Sequence, residues 1–392
     1  MSDSRVRPDD LLGLDDLLSD DERAVRSAAR DFTKRAIVPH IGEWFEVGAI
    51  PGIPDLAREL GRLGALGMHL RGYGCAGLSA VDYGLTCAEL EAGDSAIRSF
   101  VSVQGSLAMY AIWRYGSEEH KQEWLPAMAA GEAIGCFGLT EPDHGSDPGS
   151  MRTTATRAGS DWVLNGRKAW ITNGSVADVA IVWARTDEGI RGFVVPTSTP
   201  GFSAPEIKRK LSLRASVTSE LVLDGARLPS SAELPFARGL SAPLSCLNEA
   251  RYGIVWGSMG AARTAYETAL EYAKARTQFG KPIAGFQLTQ AKLVDMAVEL
   301  NKGLLLALHL GRRKDAGTLA PEQVSFGKLN NTRAALEICR VARGVLGANG
   351  ISLEFPVIRH MANLESVLTY EGTVEMHTLV LGQALTGQAA FR

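Results

Sequence analysis

Apolar positions in the first third of the chain recur at helical spacing. Val25, Ala28, Ala29, Phe32 and Ala36 line one face until Pro39 stops the run. Just before them, Ser19-Asp20-Asp21-Glu22 has the form of a capping box, in which the serine hydroxyl accepts from the amide three residues on and Glu22 reaches back. The same pattern predicts helices over 54–66, 80–91, 95–115 and 118–130. Near Gly131 the sequence turns β-rich. Residues 162–171, with Asn165-Gly166 between two apolar arms, predict a hairpin, because Asn-Gly suits a type I′ turn. Residues 179–184 and 190–196 flank Asp187-Glu188-Gly189 as a second hairpin, and 211–213 and 220–223 add short strands. Pro229 and Pro235 mark 227–242 as a connector. Beyond Leu247 long helical patterns return over 254–275, 286–314, 321–346 and 373–389. They are apolar on more than one face, as in helices that pack on each other or on another copy. The expected class is therefore α+β: an N-terminal helical domain over 1–131, a middle β domain over 132–236 and a C-terminal helical domain over 237–392.

Composition narrows the function. The 392 residues are 45% hydrophobic and 22% charged, an ordinary globular balance that argues against disorder. The net charge is −3 and the basic residues are scattered, which disfavours a nucleic-acid partner, since phosphate binding needs a clustered positive field. The densest apolar run, Leu304–Leu310, contains His309 and meets Arg312, Arg313 and Lys314, far short of the ~20 apolar residues of a membrane span. The aspartate-rich N-terminus has no apolar core, so the expectation is a cytoplasmic protein without a leader. The 5 cysteines and 7 histidines are dispersed, with no CxxC or HExxH, and neither disulfides nor a metal site is expected.

Gly72-Tyr73-Gly74-Cys75-Ala76-Gly77 matches GxGxxG, but a helix-like segment precedes it where a dinucleotide fingerprint needs a strand, so it reads as a turn. Three other segments carry more: Cys136-Phe137-Gly138-Leu139-Thr140-Glu141-Pro142-Asp143-His144-Gly145-Ser146, Gly166-Arg167-Lys168-Ala169-Trp170-Ile171-Thr172-Asn173, and Thr369-Tyr370-Glu371-Gly372-Thr373. Singly they suit a capped turn, a hairpin arm and a helix start. With the α-β-α order, and with Arg276-Thr277-Gln278-Phe279-Gly280 and Gly347-Ala348-Asn349-Gly350, they resemble the acyl-CoA dehydrogenase family of flavoproteins over nearly the whole chain. Within it the resemblance is nearest to members acting on glutaryl-CoA, through Arg98-Ser99-Phe100-Val101-Ser102, Leu213-Arg214-Ala215-Ser216 and Asn248-Glu249-Ala250-Arg251-Tyr252-Gly253. The chain departs from the family at His144, where a small residue is usual, and at Glu375.

The resemblance implies a middle domain like a β-barrel, a C-terminal four-helix bundle, and bound FAD. It implies that Leu139, Thr140, Ser146, Trp170, Thr172 and Thr373 hold the flavin, while Arg276, Phe279, Gly347 and Gly350 reach the FAD of a neighbouring subunit in a homo-oligomer, expected to be a tetramer. Asn248 and Arg251 would line the CoA side. Glu371 would be the base that takes the α-proton of the acyl-CoA, with its own backbone amide and a flavin hydroxyl holding the enolate oxygen. Such a weak carbon acid needs a carboxylate on one face and an electron sink on the other, and burial raises a carboxyl's pKa toward the working range. An electron-transfer flavoprotein is the acceptor the family implies, and lysine or tryptophan breakdown the usual setting. A plain core position remains the alternative for Trp170.

Arg98 and Ser102, at i and i+4, share a helix face, with Asp94 as a candidate N-cap. An arginine there is either solvated or a bidentate clamp for a carboxylate, with the serine adding a bond. The resemblance favours the clamp and adds Glu91 and Tyr370 around the distal carboxylate, although periodicity does not place Glu91 across Gly93-Asp94. The activity implied is oxidative decarboxylation of glutaryl-CoA to crotonyl-CoA; the alternatives are a non-decarboxylating enzyme of the same substrate, another short-chain acyl-CoA dehydrogenase, or an oxidase of the same fold.

Overall fold

The computed structural model describes residues 7–8 and 10–390, so the outermost ends of the first and last expected domains lie outside the described residues. Helices α1 (Asp20–Phe32), α2 (Ile41–Val47), α3 (Ile53–Arg62), α4 (Ala80–Gly93), α5 (Ser95–Ser102), α6 (Tyr110–Tyr115) and α7 (Glu118–Ala130) form the N-terminal part. Ser19 and Glu22 close the capping box expected of them, and Ser79 with Asp82 caps α4 in the same way. The predicted helix over 95–115 is continuous, with a wider π-type turn at Val103–Met109.

Strands β1 (Gly135–Gly138), β2 (Thr154–Ala158), β3 (Asp161–Thr172), β4 (Val179–Thr186), β5 (Gly189–Pro196), β6 (Phe202–Ser203) and β7 (Thr218–Leu228) make one sheet, curled into half a barrel. Its order is β1-β4-β2-β3-β7-β6, with β5 antiparallel on β4 around the expected turn. The hairpin predicted at Asn165-Gly166 does not exist. β3 runs straight through both residues, with a bulge against β7, and the true turn lies earlier, at Gly159 between β2 and β3. Gly166 is required for close approach: a Cβ there would stand 2.7 Å from Thr153 Cα. The side chain of Asn165 instead accepts from the Gly225 amide, at 2.8 Å. The strand predicted over 211–213 is a bend, with Leu213 at φ 48°.

The rest is α8 (Ser241–Ala275), the small hairpin β8 (Thr277–Gln278) and β9 (Lys281–Pro282), then α9 (Gln287–Asp315), α10 (Pro321–Leu346), α11 (Val357–Thr369) and α12 (Val374–Thr386). The periodicity missed α2, the early start of α8 and all of α11. α8 packs on α4 on one side and on α10 on the other, joining the two helical parts. The helices of the N-terminal part share one apolar core with inward residues of β4 and the start of α8, and α8–α11 enclose a second. The GxGxxG segment is a surface turn after α3, with Gly72, Tyr73, Gly74 and Gly77 all at positive φ.

Candidate active site

Tyr370–Thr373 link α11 to α12, and Thr373 caps α12 by accepting from the Met376 amide. Glu371 within this link sits at φ 54°. The left-handed region costs a residue with a Cβ about 1–2 kcal/mol, so the surroundings must hold it. They do so through the backbone. Arg251 Nε donates to the Glu371 carbonyl at 2.7 Å, and Lys328 Nζ donates to the carbonyls of Tyr370 at 2.5 Å and Gly372 at 2.6 Å. Arg251 also donates to Asn248 Oδ1 at 3.0 Å, one turn earlier on α8. The Glu371 carboxylate itself is treated differently: Oε2 is closed off from solvent and has no hydrogen-bond partner. Burial raises its pKa, and the nearby charges of Arg98, Lys328 and Arg251 reverse this only in part. A carboxyl raised by burial and left unbonded is poised to exchange a proton.

The second half of the site begins where α4 ends. Asp94 is extended, and its Oδ1 accepts from the Ala96 amide at 2.7 Å to start α5. This break folds α5 back so that Glu91 Oε2 meets Arg98 Nε at 2.6 Å, the placement periodicity left open. Arg98 Nη2 donates to the Tyr370 hydroxyl, which ties the cluster to the residue beside Glu371. Gly257 on α8 makes room for it, because any Cβ there would run into the Glu91 carboxylate. Burial opposes a charge on Arg98, but Glu91, Tyr370 and Glu371 together outweigh it and hold the guanidinium protonated, its pKa well above the usual arginine value. Two donors in this buried cluster remain unused: Arg98 Nη1 and Ser102 Oγ.

A third group of residues comes from the sheet. Trp170 is 63% exposed, although Ala169 and Ile171 on either side are buried, and its backbone is left-handed at φ 61°. It is therefore not a core tryptophan. Thr172 is half-buried at the end of β3. The Leu139-Thr140 segment is pinned to β3: Lys168 Nζ donates to the Leu139 carbonyl at 3.1 Å and the Ala169 amide to Thr140 O at 2.9 Å. Lys168 also pairs with Glu141 at 2.8 Å, and Glu141 accepts from the amides of Arg152 and Thr153. Burial works against the carboxylate, yet these donors hold Glu141 at about 2, while burial lowers Lys168 to about 8. Ser146 is exposed on the loop that follows, where Glu141 and His144 exchange two backbone hydrogen bonds at 3.2 Å. A displayed indole beside a rigidly held strand end fits a flat ring system such as the isoalloxazine of FAD. Among the described residues no group of His, Cys, Asp and Glu could hold a metal ion.

Arg276, Phe279, Gly347 and Gly350 are not part of this assembly within the chain. At 1.5 Å per residue, Ala275 lies about 36 Å along α8 from Arg251, and Leu346 about 27 Å along α10 from Lys328. Phe279 sits at the tip of the β8–β9 hairpin at φ 51° and is 95% exposed; Gly347 is exposed and Gly350 buried. The sequence reading also missed Lys328, Lys168 and Glu141. A signal existed for both lysines: Lys328 is in phase with Val324, Asn331 and Ala335 on the buried face of α10, and Lys168 alternates with Trp162 and Leu164 on β3.

Known proteins match this arrangement from end to end. The family descriptions of the acyl-CoA dehydrogenase N-terminal, middle and C-terminal domains match residues 19–132, 136–226 and 237–386, and the chain belongs to the acyl-CoA dehydrogenase family. More particularly, it is similar to a crystal structure of glutaryl-CoA dehydrogenase from Mycobacterium smegmatis, with 70% identity, a TM-score of 0.98, and coverage of 99% of this chain and 100% of that one. It is also similar to a glutaryl-CoA dehydrogenase from the same organism in complex with FADH2, at 64% identity, a TM-score of 0.97 and the same coverage. The mitochondrial short-chain specific acyl-CoA dehydrogenase of Homo sapiens is 34% identical over 371 residues, 93% of this chain and 90% of the human protein. No helix among the described residues is long and apolar enough to cross a membrane.

Proposed function

We propose that this enzyme oxidises glutaryl-CoA with FAD and releases crotonyl-CoA and CO2. The observation that carries the substrate is the pair of unused donors, Arg98 Nη1 and Ser102 Oγ, buried one turn apart on α5, with the Arg98 charge acting on Glu371. Unpaired buried donors are costly, and a substrate carboxylate satisfies both. A plain fatty acyl chain satisfies neither. The similarity to two glutaryl-CoA dehydrogenases at 64–70% identity supports the same reading.

Leu139, Thr140, Ser146, Trp170, Thr172 and Thr373 would hold the flavin from one protomer, and Arg276, Phe279, Gly347 and Gly350 from its neighbour, in a homotetramer. When bound, FAD accepts the hydride from the β-carbon. The protein's own part is to bind, orient and move a proton. Asn248 and Arg251 face the CoA side, and Arg98 with Ser102 grips the distal carboxylate, with Glu91 and Tyr370 fixing the guanidinium. Glu371 takes the α-proton. Once the α–β double bond has formed, the distal carboxylate leaves as CO2 and its bonding pair stays on the chain as a dienolate. The proton on Glu371 then returns to the γ-carbon, which gives crotonyl-CoA. An electron-transfer flavoprotein would take the electrons onward, in the cytoplasm, in lysine or tryptophan breakdown.

Purified holoenzyme mixed with glutaryl-CoA should lose its flavin absorbance, with crotonyl-CoA found by mass spectrometry. Glutaconyl-CoA as the end product would keep the carboxylate clamp but make the enzyme non-decarboxylating. A preference for butyryl-CoA would place the chain with the short-chain dehydrogenases.

A further inference from the structure

We propose that Lys328 is a positioning residue for the base: its ammonium clamps the backbone on both sides of Glu371 and supplies positive charge to the Glu371 carboxylate. This rests on the reading of Glu371 as the base. Lys328 is 1% exposed, about two turns into α10. Burying an ammonium is expensive, so its location calls for a reason. Among the described residues no carboxylate lies within ion-pair distance of it, and two of its three protons go to the carbonyls of Tyr370 and Gly372. Those carbonyls are two residues apart, with Glu371 between them. One nitrogen holding both acts as a staple across the left-handed residue, and Arg251 holds the third carbonyl from α8.

The charges facing Glu371 come from every side of the link. Arg98 stands on α5 with Glu91 behind it, Arg251 on α8, Lys328 on α10, and Tyr370 is adjacent. His377 on α12 packs under Gly372 but is driven down to about 3 by burial and by Lys328 and Arg251, so it is neutral and adds no charge. Arg98 is committed to Glu91 and Arg251 to the Glu371 carbonyl. Neither Lys328 nor Arg251 has a carboxylate partner of its own among the described residues, and burial lowers Lys328 to about 7 while Glu371 acts to raise it again. Removing a nearby cation disfavours an ionised carboxylate, so Glu371 should then lose its proton only at higher pH.

The test uses FAD-loaded enzyme and two variants. Lys328→Gln keeps N–H donors for the carbonyls and loses the charge; Lys328→Met loses both. The acidic limb of the kcat/KM–pH profile should move up by about one unit or more in both, and Lys328→Met should also lower the high-pH plateau at least about tenfold as the staple opens. Melting midpoint and FAD content check the fold, and if Lys328→Met fails to fold, the limb of Lys328→Gln decides. A wild-type limb in a folded variant overturns the proposal. Glu371→Gln run in parallel separates the two ideas: turnover retained there removes Glu371 as the base, whereas an unshifted limb beside an inactive Glu371→Gln removes only Lys328.

Discussion

Glu89 and Glu91 lie two residues apart on α4, both buried and both paired with arginine. Two residues turn a helix by about 200°, so the two carboxylates leave on opposite faces. Glu89 points toward α1 and α8. Its oxygens accept four hydrogen bonds from Arg30 and Arg263, at 2.6–3.1 Å. Burial disfavours its charge, but Arg263 and Arg30 outweigh that and hold the carboxyl at about 2. Glu91 faces Arg98 with one oxygen and Ser95 with the other, and leaves Arg98 Nη1 with nothing to bind. A saturated buried ion cluster ties elements together; one with a donor to spare, next to an unbonded carboxylate, is a place for something else to bind. The contrast separates structure from function more sharply than burial or charge alone, since both clusters have those.

The hardest break is at the unbonded carboxylate. Glu371→Gln should keep the fold and the FAD and lose on the order of 10²–10⁴-fold in turnover, as losing a general base does; steady-state assay and absorbance spectra check it. Arg98→Met comes next. Removing one partner of a buried pair costs about 3–5 kcal/mol, and about 1.4 kcal/mol is tenfold in rate. kcat/KM for glutaryl-CoA should therefore fall on the order of 10²–10³-fold, with a much smaller loss for butyryl-CoA. Equal losses on both substrates would mean that Arg98 is no different from Arg263.

At the other cluster the effect should be on stability. The folded pKa of Glu89 lies below its unfolded value, so its contribution is present above about pH 4.5 and is lost as pH falls toward about 2. Glu89→Gln should cost on the order of 3 kcal/mol near neutral pH, and the gap in melting midpoint should close in acid, with the ratio of glutaryl-CoA to butyryl-CoA activity unchanged. The smallest change is Ser102→Ala, which on the proposed reading removes one hydrogen bond to a charged substrate group. About 1.5 kcal/mol, or roughly tenfold in kcat/KM for glutaryl-CoA, is expected, and butyryl-CoA should not register it.

The sequence by itself determined the α-β-α order, most helix ends and the motifs of the site, because caps and periodicity are local: Ser19 and Glu22, or Asp94 before α5, need only their neighbours to act. It misled at Asn165-Gly166, where a good local turn signal lost to the packing of Thr153 against a continuous strand. Trp170 illustrates the limit from the other side. Its context singled it out, but only the fold decides that a tryptophan flanked by buried residues is turned outward. The tertiary structure alone brought Glu91 back onto Arg98, set Lys328 across Glu371 from 43 residues away in the chain, and put Phe279 at the exposed tip of the hairpin beyond α8. Each depends on how α4, α8 and α10 pack, and a side chain's charge state and its unused donors follow from neighbours that chain spacing does not name.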